Sequence, residues 1–223
     1  MGLRIVILGA PGAGKGTQAR KLAEKRGIPH ISTGDIFRAH LSEGTEFARQ
    51  IDPYMKSGAL VPDELTIAIV EERLGRPDCR DGYVLDGFPR SLEQTQALER
   101  MTASQGPGID AAIDLRVPDD ELVARMGARR TCAECGTIYN LKFNPPKGGG
   151  MRCDRNGCGG QLVQRPDDNE DTIRQRLFIY HKTAGPIYEY YEERGILHIV
   201  RGDVSPEVVF ATVEDIVCGV EVA

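Results

Sequence analysis

A glycine-rich segment near the start of the chain has the composition and spacing of a phosphate-binding loop. It reads Gly9-Ala-Pro-Gly-Ala-Gly-Lys-Gly-Thr17 and stands between a short apolar run and a stretch that favours helix. Such glycines let backbone N–H groups turn inward around phosphate oxygens, and the N-terminus of the next helix adds partial positive charge. Lys15 is then placed to reach the outer phosphates of a nucleotide. A glycine turn with a surface lysine is the alternative, and the strand and helix context weighs against it.

The residue after Lys15 departs from the usual loop pattern. Gly16 stands where a serine or threonine hydroxyl usually binds Mg²⁺, so the hydroxyl is displaced to Thr17. We therefore expect Mg²⁺ to be held mainly by nucleotide oxygens and water.

Four cysteines lie close together in the second half of the chain. The first pair is Cys132-x2-Cys135, and the second, Cys153-x4-Cys158, follows after seventeen residues. In a chain expected to be cytoplasmic, this pattern favours a tetrahedral thiolate site over disulfides, with Zn²⁺ as the first choice. Because the second pair is wider than x2, a distorted site or Fe²⁺ or Co²⁺ stays open.

The remaining cysteines and the histidines give no ligand pattern. Cys79 and Cys218 have no partner at ligand spacing and are expected to be small core residues. None of the four histidines stands in a ligand pattern.

Arginines supply the positive charge that phosphate chemistry needs. A guanidinium can bind a phosphate in bidentate fashion, and phosphoryl transfer requires cations around the equatorial oxygens rather than a protein nucleophile. Arg38 and Arg90 have glycine or proline nearby, and four more flank the cysteine module, namely Arg125, Arg129, Arg165 and Arg176. The alternative is that these are solvated charges, and that Arg125, Arg129 and Arg130 form the exposed face of one helix.

Strand and helix patterns alternate around these residues. Short apolar runs predict strands at Leu3 to Leu8, Tyr83 to Leu85, Ala112 to Val117 and Leu197 to Val200. Helical patterns occupy Gln18 to Arg26, Leu65 to Leu74, Leu92 to Met101 and Asp171 to Tyr180. This alternation predicts an α/β fold with a parallel sheet flanked by helices. From about Thr131 to Val163, polar turns and cysteines replace the helical pattern and indicate a small inserted module.

Composition narrows the function classes. The chain has 223 residues, 27% of them charged, and a formal net charge of −5. This acidic balance argues against a general nucleic-acid backbone binder. No apolar run approaches the roughly 18 residues that span a bilayer, and the start of the chain lacks signal-peptide and myristoylation patterns. We expect a cytoplasmic enzyme that contacts neither membrane nor nucleic acid.

Three motifs together resemble the adenylate kinases, of the nucleoside monophosphate kinase family. They are GAPGAGKGTQ at Gly9 to Gln18, Ser-Thr-Gly-Asp-Ile-Phe-Arg at Ser32 to Arg38, and Asp-Gly-Phe-Pro-Arg at Asp86 to Arg90. With the cysteine module they occur in the family's order, and the likeness covers nearly the whole chain. It implies a P-loop core at 1–32, 75–130 and 164–223, a helical AMP-binding region at 33–74, and a metal-binding lid at 131–163.

The resemblance also implies an activity, transfer of the terminal phosphoryl group of Mg-ATP to AMP to give two ADP, and roles for individual residues. The implied ATP-binding residues are Gly12, Ala13, Gly14, Lys15, Gly16, Thr17, Arg125, Arg129 and Gly202. The implied AMP-binding residues are Thr33, Gly34, Arg38, Ala59, Val61, Gly87, Arg90, Gln94, Arg165 and Arg176. The implied catalytic residues are Lys15, Arg90, Arg129, Arg165, Arg176 and Asp86. We expect Asp86 to orient Mg²⁺ through water, and the alternative is that it is a turn residue at the end of a strand. Asp167 and Asp168 resemble the family's paired lid acids, which orient arginines.

Other functions are weighed against this one. A different acceptor, UMP or CMP, would keep the enzyme class, and Thr33 and Gln94 favour AMP because they are expected to approach adenine. A zinc-ribbon NTPase that binds nucleic acid is a further alternative, but aromatic residues do not interleave with basic ones around the cysteines. The resemblance suggests a monomer.

Overall fold

The computed structural model describes residues 2–103, 108–155 and 157–222. The strands are β1 (Leu3–Gly9), β2 (His30–Ser32), β3 (Gly82–Asp86), β4 (Ala111–Arg116), β5 (Arg129–Cys132), β6 (Ile138–Asn140), β7 (Leu162–Val163) and β8 (Leu197–Arg201). The α-helices are α1 (Lys15–Arg26), α2 (Thr33–Glu43), α3 (Glu46–Ser57), α4 (Asp63–Leu74), α5 (Leu92–Ala103), α6 (Asp119–Gly127), α7 (Glu170–Thr183), α8 (Gly185–Glu193) and α9 (Pro206–Val222), and Pro77–Cys79 forms a 3₁₀ helix.

A parallel five-stranded sheet forms the centre, with the strand order β2-β3-β1-β4-β8. The chain first adds β2 and β3 on one side of β1 and later adds β4 and β8 on the other. The topological switch point therefore lies at the carboxyl end of β1, where open α/β sheets bind their ligands. The glycine-rich loop follows β1 directly and occupies this point.

Helices cover both faces of the sheet, which explains why its central strands are apolar along their length. One face packs residues such as Ile5, Ile7 and Ile113 against α1, α6, α7 and α9. The other packs Val6 and Leu85 against helices α4, α5 and α8. Burial on both faces fixes the strand ends, and with them the loops that carry polar residues.

Two smaller units stand apart from this core. Helices α2 to α4 enclose their own apolar cluster, centred on Phe37, Ile51 and Val61. Strands β5, β6 and β7 form an antiparallel sheet in the order β6-β5-β7, whose buried residues are two cysteines with Tyr139 and Leu162. So few buried side chains give the second unit little core of its own.

The sequence predictions hold for the fold class and for the four longer strands and four helices. The three-residue strand β2 was not predicted. Two hypotheses are wrong. Arg129 and Arg130 lie on strand β5, so they do not share a helix face with Arg125. Cys79 is buried as expected, but Cys218 is exposed. Within the described residues, no helix combines the length and apolarity needed to cross a bilayer.

Candidate active site

The phosphate loop is shaped by glycines with positive φ. Gly12 has a φ of 87° and Gly14 one of 95°, a region that residues with a side chain rarely adopt. Helix α1 begins at Lys15, and no side chain caps its first turn, so its N–H groups are available to an anion. The Lys15 ammonium folds back and donates to the carbonyl oxygens of Gly9, at 2.7 Å, and Ala10, at 2.9 Å. The loop is thus preformed around a half-buried cation.

The Lys15 ammonium lies in a cationic environment. Burial lowers its pKa to about 8, opposed by the charge of Asp86 and reinforced by Arg90, Arg176 and Arg129. A bound polyphosphate would supply the missing negative charge and restore the proton affinity.

The carboxylate of Asp86 lies at the end of β3, against the phosphate loop. A Cβ added at Gly16 would stand 3.0 Å from Asp86 Oδ2, so the close approach explains why glycine replaces the usual hydroxyl residue. His30 Nε2 lies 3.4 Å from the same oxygen. Burial opposes ionisation of Asp86, but His30, Lys15 and Arg90 outweigh it and hold its pKa below the ordinary value. The site therefore keeps a charged oxygen ligand beside Lys15 at neutral pH.

One cavity of about 520 Å³ brings the predicted cations together. Its size is that of a typical ligand pocket. The basic residues that line it come from the phosphate loop, α2, the loop after β3, α6, the small antiparallel sheet with the segment after it, and α7. The predicted ones are Lys15, Arg38, Arg90, Arg125, Arg129, Arg165 and Arg176, and Arg20 of α1 lines the cavity as well. Asp86, Gly87, Gly34 and Gly202 line the same cavity.

Two of these arginines are held by the paired acids. Arg129 Nε donates to Asp168 Oδ2 at 2.8 Å, and its Nη2 donates to Oδ1. Arg176 Nη1 donates to Asp167 Oδ2 at 2.6 Å. Burial works against the charge of Asp167, but Arg176 and its neighbours lower the pKa of that carboxyl. Both acids therefore set the positions of arginines, and Asp167 does so as an ionised carboxylate.

The other arginines have weaker or more local partners. Arg90 Nε donates to the carbonyl of Gly87 at 2.7 Å, and burial followed by the charge of Arg176 lowers the Arg90 pKa to about 10. Arg165 Nε donates to Thr131 Oγ1 at 3.0 Å, and burial and then Arg38 lower its pKa to about 10. Both side chains stay charged at neutral pH, and neither hydrogen-bonds a carboxylate in the part of the chain that the structure describes.

Arg125 lies at the far end of the cavity. Its Nη2 donates to the carbonyl of Gly202 at 2.8 Å and to Glu121 at 2.6 Å. Its guanidinium carbon stands 5.9 Å from the ring centre of Phe143, an exposed aromatic residue of the small sheet unit that also lines the cavity. The flat guanidinium and the ring together offer stacking surfaces for a base. Sequence reasoning missed Phe143, whose only signal was one aromatic residue in a polar stretch.

A second, smaller pocket of about 50 Å³ lies under helices α2 to α4. It is lined by the predicted AMP-binding residues Thr33, Gly34, Arg38, Ala59, Val61, Gly87, Arg90, Gln94 and Arg176. Thr33 is buried and donates its hydroxyl proton to the Gly87 carbonyl at 2.9 Å. At this volume the pocket is far below the roughly 300 Å³ that a ligand site needs, so a nucleotide base can enter only if the pocket widens.

The four module cysteines converge on one point. Their Sγ atoms all lie within 4.8 Å of one another, and Cys132 to Cys158 and Cys135 to Cys153 are each 3.6 Å apart. Ligands at about 2.3 Å from a tetrahedral ion have their sulfurs about 3.8 Å apart, so the donor set fits a metal. Hydrogen bonds from the Thr137 side chain and backbone lower the pKa of Cys135, which favours the thiolate. The wider second pair therefore reaches the same point as the first.

Comparisons with known proteins agree with this geometry. The family model described as adenylate kinase matches residues 7–196. A protein named adenylate kinase from Symbiobacterium thermophilum is 49% identical over 96% of this chain and 98% of its own length. One from Geobacillus sp. is 48% identical over 98% of this chain and 100% of its own, and one from Archaeoglobus fulgidus is 47% identical over 96% and 97%. The chain belongs to the adenylate kinase family.

Proposed function

We propose that this enzyme catalyses the reversible transfer of the terminal phosphoryl group of Mg-ATP to AMP, giving two ADP, and so balances the adenine nucleotides. The observation that carries the proposal is the single cavity in which the phosphate-loop lysine and the six predicted arginines from different parts of the chain meet. The γ-phosphoryl group carries its transition-state charge on three equatorial oxygens, so a ring of fixed cations is the catalyst this reaction needs.

The residues divide between the two substrates. The loop from Gly12 to Thr17 would bind the ATP phosphates, while Arg125 and Gly202 would hold the ATP base and Arg129 the phosphates. The small pocket would bind AMP through Thr33, Gly34, Arg38, Ala59, Val61, Gly87, Arg90 and Gln94. Lys15, Arg90, Arg129, Arg165 and Arg176 would surround the phosphoryl group in transfer, with Arg165 and Arg176 also touching AMP. No side chain needs to act as a nucleophile.

Two metal ions are proposed, with different tasks. Mg²⁺ would bridge ATP oxygens and neutralise their charge, and Asp86 is the carboxylate beside the loop that would orient it through water. Zn²⁺ would bind the four thiolates of Cys132, Cys135, Cys153 and Cys158 and support the fold of a unit with little core. Fe²⁺ or Co²⁺ would fit the same donors. None of the four cysteines forms a disulfide, which suits a reducing compartment and supports a cytoplasmic enzyme.

The chain would divide into a core, an AMP-binding region at 33–74 and a lid at 131–163. Lid residues such as Phe143, the arginines on either side of the lid and Arg38 line one cavity, which is the arrangement a closed enzyme needs to exclude water from the reaction. The 50 Å³ AMP pocket must open before a base enters, so the region at 33–74 would move as well. A bisubstrate analogue should protect the lid from proteolysis, and unchanged cleavage at saturation would contradict lid closure.

A panel of monophosphates in a coupled ADP assay tests the function. With Mg-ATP as donor, AMP should be the preferred acceptor over UMP and CMP, and turnover should require Mg²⁺. Preference for UMP or CMP would show that the acceptor is a pyrimidine monophosphate, and the proposed role of the phosphate loop would be unchanged. We expect the active enzyme to be a monomer that binds no nucleic acid or membrane.

A further inference from the structure

Gln94, which the proposed function places at the AMP base, is held from two sides in the structure. It is 1% exposed. Its Oε1 accepts a hydrogen bond from the backbone N–H of Arg90 at 2.7 Å, and its Nε2 donates to Asp63 Oδ1 at 2.7 Å. The other carboxylate oxygen of Asp63 accepts from Ser91 Oγ at 2.6 Å. Asp63 begins helix α4, so this bond joins the helical unit to the start of α5.

These partners decide which way the amide points. A backbone N–H can only donate, so it requires the amide oxygen, and Asp63 accepts through both of its oxygens, so the one that faces Gln94 requires the NH₂ group. Rotating the amide by half a turn would set oxygen against carboxylate and NH₂ against N–H, and both bonds would be lost. One further lone pair on Oε1 and one further hydrogen on Nε2 remain for a ligand, and their order in space is fixed.

That order matters because purines differ along the edge that Gln94 would meet. Adenine offers an acceptor at N1 and a donor at its 6-amino group, whereas 6-oxopurines offer a donor at N1 and an acceptor at O6. An amide free to rotate could pair with either edge, and an amide that cannot rotate pairs with one.

We propose that Asp63 is a specificity-determining positioning residue, which locks the Gln94 amide in the orientation that pairs with adenine and rejects 6-oxopurines. The inference rests on the proposed function, in which AMP is the acceptor at this pocket. A site that leaves its buried polar groups unpaired with the wrong substrate discriminates strongly against that substrate.

The test compares AMP with IMP as phosphoryl acceptors. IMP has the 6-oxopurine edge without the bulk of the guanine 2-amino group, so it reports amide orientation rather than size. In Asp63→Asn the neutral amide can accept or donate, so the lock loosens. The ratio of kcat/KM for AMP to that for IMP should fall about tenfold or more, the factor of one hydrogen bond to a charged group. An unchanged ratio would overturn the proposal.

Glu64→Gln is the matched control, because it removes a neighbouring carboxylate from the same first turn of α4 but from an exposed side chain. It should leave the ratio unchanged, and an equal fall would show a general charge effect. A double-mutant cycle tests whether Asp63 acts through Gln94. In a Gln94→Ala background, Asp63→Asn should no longer alter the ratio. A persistent effect would mean that Asp63 does not act through Gln94.

Further measurements distinguish a failure of this proposal from a folding defect and from a failure of the proposed function. Should Asp63→Asn fail to fold, Ser91→Ala, which frees one carboxylate oxygen of Asp63, should lower the ratio by a smaller factor in the same direction, and no change would overturn the lock. If the parent enzyme fails to phosphorylate AMP, the proposed function is wrong. If it does phosphorylate AMP but Gln94→Ala leaves the ratio intact, then Gln94 does not read the base and the lock has no role.

Discussion

The ion pair between Arg129 and Asp168 should contribute strongly to the free energy of unfolding, because Arg129 is one of several cations that line the same cavity. Its carboxylate is 0% exposed and its guanidinium 16% exposed, and both carboxylate oxygens are used. Replacing Asp168 by alanine leaves Arg129 without its direct ionic partner, close to the charges of Lys15 and Arg176 and with only the weaker attraction of Asp167 and Asp86. Removing one partner of such a buried pair costs about 3–5 kcal/mol.

For a chain of this length, that loss corresponds to a fall in melting temperature of roughly 10 °C. Glu170→Ala provides the comparison, because its ion pair with Arg174 begins two residues after Asp168, in the first turns of α7, but has side chains 69% and 66% exposed. An exposed pair contributes about 0–1 kcal/mol, so that variant should melt within about 3 °C of the parent. Calorimetry of both variants, with the lid metal bound, measures the difference.

Melting in the presence of a bound ligand tests whether the loss of stability arises at the nucleotide site. A bisubstrate analogue with two adenosines joined through phosphates brings negative charge to Arg129, so it should stabilise Asp168→Ala more than the parent enzyme at equal saturation. Equal melting of Asp168→Ala and Glu170→Ala without ligand would refute the reasoning, since the buried pair would then carry no more energy than an exposed one.

Three further predictions follow from single residues. Lys15→Met should fold normally but lose about 10²-fold or more in kcat, because the cation at the transferred phosphoryl group is gone; comparable turnover would remove the loop from the mechanism. Burial lowers the pKa of Lys15 to about 8, so the folded state binds this proton less tightly than the unfolded chain. The charged Lys15 therefore lowers the free energy of unfolding below about pH 8, and this destabilisation disappears as the pH rises above 8. ATP affinity should therefore weaken above about pH 8 with proton uptake on binding, measured by calorimetry in two buffers, and a flat profile would contradict the shift. Cys132→Ser should lower the melting temperature and loosen the lid before it affects chemistry; a cobalt-substituted parent whose d–d bands shift on adding ATP would show an open metal position and contradict a structural site.

The parts of the site that were predictable are those that a short stretch of chain encodes. The phosphate loop needs its glycines and Lys15 in one segment, and the thiolate site needs two close cysteine pairs, so both appear in the sequence before folding is considered. Strand β2 has three residues, too few to show an apolar pattern. The alternative in which Arg125 and Arg129 share one helix face arose because charge spacing alone does not show that α6 ends at Gly127.

What the sequence could not show is which distant residues meet. The bond between Asp63 and Gln94 joins positions 31 residues apart, and nothing near Asp63 marks it as a partner for an amide. Cys218 was misplaced for a related reason. It follows Val217, which is fully buried on α9, and one residue is about 100° of helix rotation, enough to turn the next side chain to solvent.

The arrangement of acids explains how such a dense group of cations can exist before substrate arrives. Asp168 occupies Nε and Nη2 of Arg129, so in the described part of the chain Nη1 is the nitrogen left for a phosphate. Arg176 Nη1 likewise donates a hydrogen bond to Asp167. The acids hold each guanidinium in place through one side and leave another side to the ligand. Among the described residues, Arg90 and Arg165 hydrogen-bond only neutral oxygens and no carboxylate, so phosphate charge should benefit them most. The arginines held by acids, Arg129 and Arg176, would orient the substrates. Arg90 and Arg165, which have no carboxylate partner among the described residues, would attract the phosphates most strongly.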